Sequence, residues 1–99
     1  MIARVATIEG GDPSRSGEVE GYVRANVLPE MRATPGLKRV MTLLDRGNRK
    51  VLAISFWDSQ EEMRSAEAKL EESTKNLPDI GQRRTGVAVY EIVLDEDLT

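Results

Sequence analysis

Histidine and cysteine are both absent from this chain of 99 residues. Without cysteine there are no disulfides, thiolate metal sites or thiol nucleophiles. Without histidine the commonest general base, the commonest metal ligand and the usual proximal haem ligand are missing. Aromatic residues are scarce, at 4%, with Trp57 the single tryptophan. There is no basic excess either: 14 Lys and Arg stand against 17 Asp and Glu, a formal charge of −3. Such a chain is a poor partner for nucleic acid or an anionic membrane. No apolar run approaches the ~18 residues that would cross a bilayer. The start, Met1-Ile2-Ala3-Arg4-Val5, lacks a leader pattern, and no lipidation box or glycosylation sequon occurs, so the expected location is cytoplasmic. What is present, 39% apolar and 31% charged residues, suits one globular domain over residues 1–99. No linker or internal repeat divides it, and the acidic end, residues 95–99, is expected to fray.

Alternation marks a first strand over Ile2 to Glu9, with Ile2, Ala6 and Ile8 on one face beside Arg4, and Ala3, Val5 and Thr7 on the other. Gly10-Gly11-Asp12-Pro13-Ser14 breaks it, without the glycine spacing of a dinucleotide loop. From about Arg15 the period changes: Val19, Tyr22, Val23, Val27 and Met31 recur at helical steps, and Asn26 falls on the same stripe. Pro29, inside this pattern, should kink the helix or weaken its last turn. Thr34-Pro35-Gly36 ends it. Leu37 to Asp45 reads as a second strand, with Leu37, Met41 and Leu43 beside Arg39 on one face. Arg46-Gly47-Asn48-Arg49 is a hairpin-length turn. Lys50 to Trp57 is nearly continuous in apolar character, as in a central strand. Ser59 and Glu62 form a capping box that opens a second helix through about Thr74. Thr85 to Leu94 closes the chain as a fourth strand.

The order β-α-β-β-α-β predicts an α+β, ferredoxin-like fold, a four-stranded antiparallel sheet with two helices on one face. The strands are apolar on both faces, and no segment remains to cover the second. A homodimer packed through the sheet face follows as an expectation. An RNA-binding sheet of the same order would need aromatics on both central strands, and the first strand has none.

Three stretches carry a resemblance: Val27-Leu28-Pro29-Glu30-Met31 with Pro35-Gly36-Leu37; Leu43-Leu44-Asp45-Arg46 through Gly47; and Ala53 to Met63, a strand ending in Trp57 followed by an acidic capped helix. In these the chain resembles the dimeric α+β barrel superfamily, and within it the antibiotic-biosynthesis-monooxygenase-like domains. The resemblance implies a pocket between helices and sheet. A small aromatic, quinol-like or polyketide-like substrate would be oxidised there by molecular oxygen without metal, flavin or haem, so no cofactor is expected. A non-catalytic ligand-binding or regulatory homodimer on the same fold is the alternative. The haem-degrading branch uses an Asn, a Trp and a His at places that fall near Thr7, Ala66 and Asn76 here, and none of the three matches.

Six residues stand out. Trp57 matches the family's tryptophan at the pocket, or else anchors the core or the dimer. Asn26, a polar residue on an apolar stripe, would orient a substrate or bond a backbone group near Pro29. Tyr22, one turn earlier, would serve the pocket or pack with its hydroxyl at a rim. Arg4 and Arg39 sit in strand patterns, where each would bind an anionic substrate or form a salt bridge. Glu67, on the second helix stripe, would act as a base if pressed against the pocket, or stay in water at the boundary. Trp57, Asn26 and Tyr22 are the expected catalytic set, and Arg4, Arg39 and Glu67 the substrate-binding set.

Overall fold

The computed structural model describes residues 1–99. Strands β1 (Ile2–Glu9), β2 (Leu37–Asp45), β3 (Lys50–Trp57) and β4 (Arg83–Glu91) form one antiparallel sheet in the order β2-β3-β1-β4. The helices are α1 (Ser16–Tyr22), α2 (Leu28–Arg32) and α3 (Gln60–Thr74), with a short 3₁₀ turn before α1 at Pro13–Arg15. α1 and α2 belong to one helical run, joined by a π-helical turn at Val23–Val27. The architecture is therefore α+β and ferredoxin-like, with both helical runs on one face of the sheet.

The π turn is where the chain absorbs Pro29. Proline has no N–H to donate and its ring crowds the carbonyl four residues back. One wider turn accepts this: the Leu28 N–H reaches back five residues to the Val23 carbonyl. An inserted residue rotates everything beyond it by about 100°. Val27 is fully buried, as its place on the apolar stripe predicts, while Asn26, on the same stripe, is exposed. The heptad step from Val19 to Asn26 assumed an unbroken α-helix, and that assumption fails here.

Registers fix the two faces of the sheet. Ile2, Arg4, Ala6 and Ile8 stand opposite Trp57, Ser55, Ala53 and Val51, and on the far side of β3 come Leu37, Val40, Thr42 and Leu44. This face lies under the helices, since Arg4 and Arg84 both reach carboxylates of α3. Leu37 departs from expectation: a register shift between Leu37 and Arg39 sets it opposite Trp57, away from Met41 and Leu43. β4 also differs, starting two residues early and ending three residues early relative to the sequence pattern. A bulge between Thr7 and Ile8 lets Arg84 and Arg83 pair with Ile8 and Glu9. Past Glu91 the Ile92 N–H still donates to the Met1 carbonyl, and the ladder with β1 ends at the Ile2–Glu91 pair. Val93, Leu94 and Leu98 are exposed beyond it.

The open face carries Ala3, Val5 and Thr7 between Phe56, Ile54 and Leu52 on one side and Tyr90, Ala88 and Gly86 on the other. Met41 and Leu43 extend it onto β2. Only Ala3, Ala6, Val27, Trp57 and Met63 are buried. The surface is 6862 Å², where a compact monomer of this mass exposes roughly 5,600 Å². The bare sheet face and the extended end of the chain both contribute to that excess.

The turn before β2 has a strict steric demand. Gly36 has φ +79, and a Cβ there would lie 2.5 Å from Cδ of Glu62 and 2.8 Å from its Cβ. Glu62 cannot move freely, because its N–H donates to the Ser59 hydroxyl at 3.2 Å in the capping box of α3. Gly36→Ala is expected to destabilise the fold by about 2 kcal/mol, a fall in Tm of roughly 8–16 °C. Thermal denaturation checks this, and an unchanged Tm would refute the steric account.

Candidate functional site

Between the first helical run and the β2 side of the sheet lies a cleft of about 620 Å³. Its floor is Ile8, Val40, Leu44 and Val51; its roof is Val19, Val23 and Leu28. Val23 and Leu28 are five residues apart, and the π turn puts both on the cleft. Leu77 and Ile80, from the loop before β4, make the third wall. The volume falls within the range typical of small-molecule sites, roughly 300–1,000 Å³, and the mix of apolar walls with a few polar groups is also typical.

Three long-range hydrogen bonds hold the mouth. The Gly10 N–H donates to the Arg49 carbonyl at 3.0 Å, and the Asp12 N–H to the Ile80 carbonyl at 3.0 Å. Nη1 of Arg46 donates to the Pro13 carbonyl at 3.1 Å. The loop of Ile80 is braced by Gln82, whose Oε1 accepts from the Ile80 N–H at 2.7 Å and whose Nε2 donates to the Pro78 carbonyl at 2.8 Å. Segments far apart in sequence thus meet around one opening.

The charged groups on the cleft are Asp12, Glu20, Arg24, Arg46 and Arg49. Arg24 and Glu20 pair at 3.8 Å across one helical turn. Asp12 accepts hydrogen bonds from the Ser14 hydroxyl at 2.7 Å and the Ser14 N–H at 3.0 Å. These bonds, helped by the charges of Arg49 and Arg15, hold its carboxyl below the usual range. It is a permanent anion near neutral pH and a weak base.

The six residues singled out in the sequence lie outside this lining. Arg4 and Glu67 are brought together, Nη2 to Oε1 at 3.6 Å, bridging β1 and α3. Trp57 is buried, and its Nε1–H donates to the Ser55 hydroxyl at 2.8 Å. Asn26 donates from Nδ2 to the Tyr22 carbonyl at 3.2 Å, within the π turn. Tyr22 is half-buried. Arg39 is exposed on the open face, beside Met41, Phe56 and Ile92. The cleft residues that sequence reasoning passed over are those of the two connections, Asp12 and Pro13, and Arg46 and Arg49. Two arginines inside a four-residue turn were the available signal.

The sequence matches no protein-family model and no curated protein. Solved structures match it closely in shape. The haem-degrading protein MhuD of Mycobacterium tuberculosis, solved with two haems in its active site, superposes with a TM-score of 0.71 at 16% identity, over 98% of this chain and 100% of that one. A candidate antibiotic biosynthesis monooxygenase of Bordetella bronchiseptica gives 0.72 at 18% identity, over 94% and 97%. The monooxygenase ActVA-Orf6 of Streptomyces coelicolor, in complex with nanaomycin D, gives 0.66 at 16% identity, over 96% and 92%. The chain has the ferredoxin-like fold of the antibiotic-biosynthesis-monooxygenase-like proteins. No helix is long and apolar enough to cross a membrane.

The lowered folded-state pKa of Asp12 fixes a sign. Its ionised form contributes stability above the ordinary carboxylate value, and that contribution is lost as pH falls through the lower folded value. Asp12→Asn keeps an oxygen for Ser14 but removes the charge. The variant is expected to show a shallower loss of Tm below about pH 4 than the parent chain. Identical acid limbs in a Tm-against-pH series would refute this role.

Proposed function

We propose that this protein is a monooxygenase that takes a small electron-rich aromatic, a quinol or an anthrone-like compound, into the cleft and oxidises it with molecular oxygen. The cleft itself carries the reading: an apolar slot of about 620 Å³ on a fold shared with a monooxygenase solved around nanaomycin D. In the anthrone case a ring CH₂ and O₂ become C=O and water; one oxygen atom enters the product and the other leaves with both hydrogens. The electrons come from the ionised substrate, so the reaction needs no resident cofactor. That suits a chain without histidine or cysteine. The protein's part is to hold the ring, exclude water and favour the substrate anion.

In this reading the residues outside the lining are positioning residues. Arg4 and Glu67 hold α3 over β1, Ser55 orients Trp57, and Asn26 closes the π turn on the Tyr22 carbonyl. Oxygen uptake with anthrones and dihydroxynaphthalenes tests the activity. Uptake above the buffer rate is expected, falling at least tenfold in Val23→Trp, which fills the cleft, and lowered with loss of Tm in Trp57→Ala. Ligand binding without uptake would favour the non-catalytic alternative.

We also infer a homodimer with open face against open face. The apolar rows of β1 and β3 need a cover, and the surface excess over a compact monomer, roughly 1,200 Å², leaves room for the about 800 Å² that one partner buries in a standard interface besides the extended end of the chain. Light scattering is expected to give twice the chain mass of 11.0 kDa. Ile54→Lys, central on that face, is expected to give the single-chain mass; a wild-type monomer at micromolar concentration would refute the assembly.

A further inference from the structure

The hairpin between β2 and β3 places Arg46 and Arg49 on the cleft, and neither forms a salt bridge. Of the other charges on the cleft, Glu20 pairs with Arg24, while Asp12 accepts from Ser14 and its carboxylate feels the charge of Arg49 without forming a salt bridge to it. Counting all five, the cleft is net positive on a chain that is net negative. Arg46 spends one N–H on the Pro13 carbonyl, which leaves the rest of its fork unused. Arg49 is the one non-glycine residue with positive φ, at 49. A left-handed backbone favours Gly or Asn, and Gly47 and Asn48 sit just before it in the same turn. The backbone there is pinned from both sides: the Arg49 carbonyl accepts from Gly10, and its N–H donates to the Arg46 carbonyl at 3.4 Å. A strained backbone at the mouth of a cleft is an observation from which function is fairly inferred.

Building on the cleft reading above, we propose that Arg49, supported by Arg46, is an anion anchor, and that the molecule taken by the cleft is an aromatic bearing a carboxylate or an equivalent fixed negative charge. The apolar walls take the ring, and the guanidinium fork at the hairpin takes the charge. Low-dielectric walls concentrate the field of the two arginines on the opening. The arrangement orients the ring, because a ligand with one charged end enters charge-outward.

The test compares 2-naphthoate with its neutral isostere 2-naphthamide by titration calorimetry. The parent protein is expected to bind the naphthoate at least tenfold more tightly, with added salt weakening only that ligand. Arg49→Gly is expected to erase the preference while leaving Tm equal or higher, since glycine relieves the left-handed backbone. Arg49→Lys should retain part of the preference, and Arg46→Gln should reduce it. Equal binding of both ligands, blocked in both cases by Val23→Trp, would overturn the anchor and leave the cleft reading standing. A preference that survives Arg49→Gly undiminished would also overturn it. If neither ligand binds, the cleft reading fails and the anchor fails with it.

Discussion

Pro29 has no N–H to give, and much of the molecule follows from where that loss is absorbed. The helical run widens by one residue at Val23–Val27 instead of breaking. Val27, the last residue of the turn, faces the core, and Leu28 just beyond it faces the cleft beside Val23. A regular α-helix would have carried Asn26 inward and buried an amide without a strand or loop to satisfy it. The π turn instead exposes Asn26 and uses its amide to cap the Tyr22 carbonyl. One missing donor thus decides both the packing of the roof and the shape of the space beneath it.

The chain buries few of its own residues. Its buried residues are five, and Trp57 and Val27 are the only large ones fully enclosed. The helices cover one face of the sheet, and the apolar rows of β1 and β3 on the other face have no cover within the chain. At the edge of that open face Arg83, Glu9, Lys50 and Asp45 stand side by side across the four strands, alternating in sign. In the proposed dimer a row of this kind would penalise a slipped or rotated partner more than it would strengthen the right one.

The strands and their order were legible because alternation survives wherever one face differs from the other. The Ser59 N-cap is legible because it is local: the Glu62 N–H donates to the Ser59 hydroxyl, and the Glu62 carboxylate turns back onto that hydroxyl and not onto the Ser59 N–H. The end of β4 is not legible, because alternation runs on through Val93 and Leu94 although the ladder with β1 stops at Glu91. Asn26 was misplaced because helical phase was carried through a turn that is not α-helical. The cleft was the least readable part. Its walls come from the start of the first helical run, the β2–β3 hairpin and the loop before β4, and only the tertiary fold makes Pro13, Arg46 and Ile80 neighbours. Arg4 and Glu67 were singled out separately, and nothing in the one-dimensional pattern says that they meet each other.

The strand order has a temporal side. β1 precedes β3 and β4 along the chain, yet it lies between them in the sheet. Val5 waits for Ile54, half the chain later, and then for Ala88, near the end. Until β4 is made, one edge of β1 has unpaired amides and carbonyls, and the helical runs have no complete sheet to rest on. Pairings this distant along the chain favour slow folding and exposed intermediates. A nascent chain stopped short of β4 therefore keeps its most apolar strands unfinished. The β1–β4 pairing, more than the local β2–β3 hairpin, therefore sets how long that open edge can template a wrong pairing.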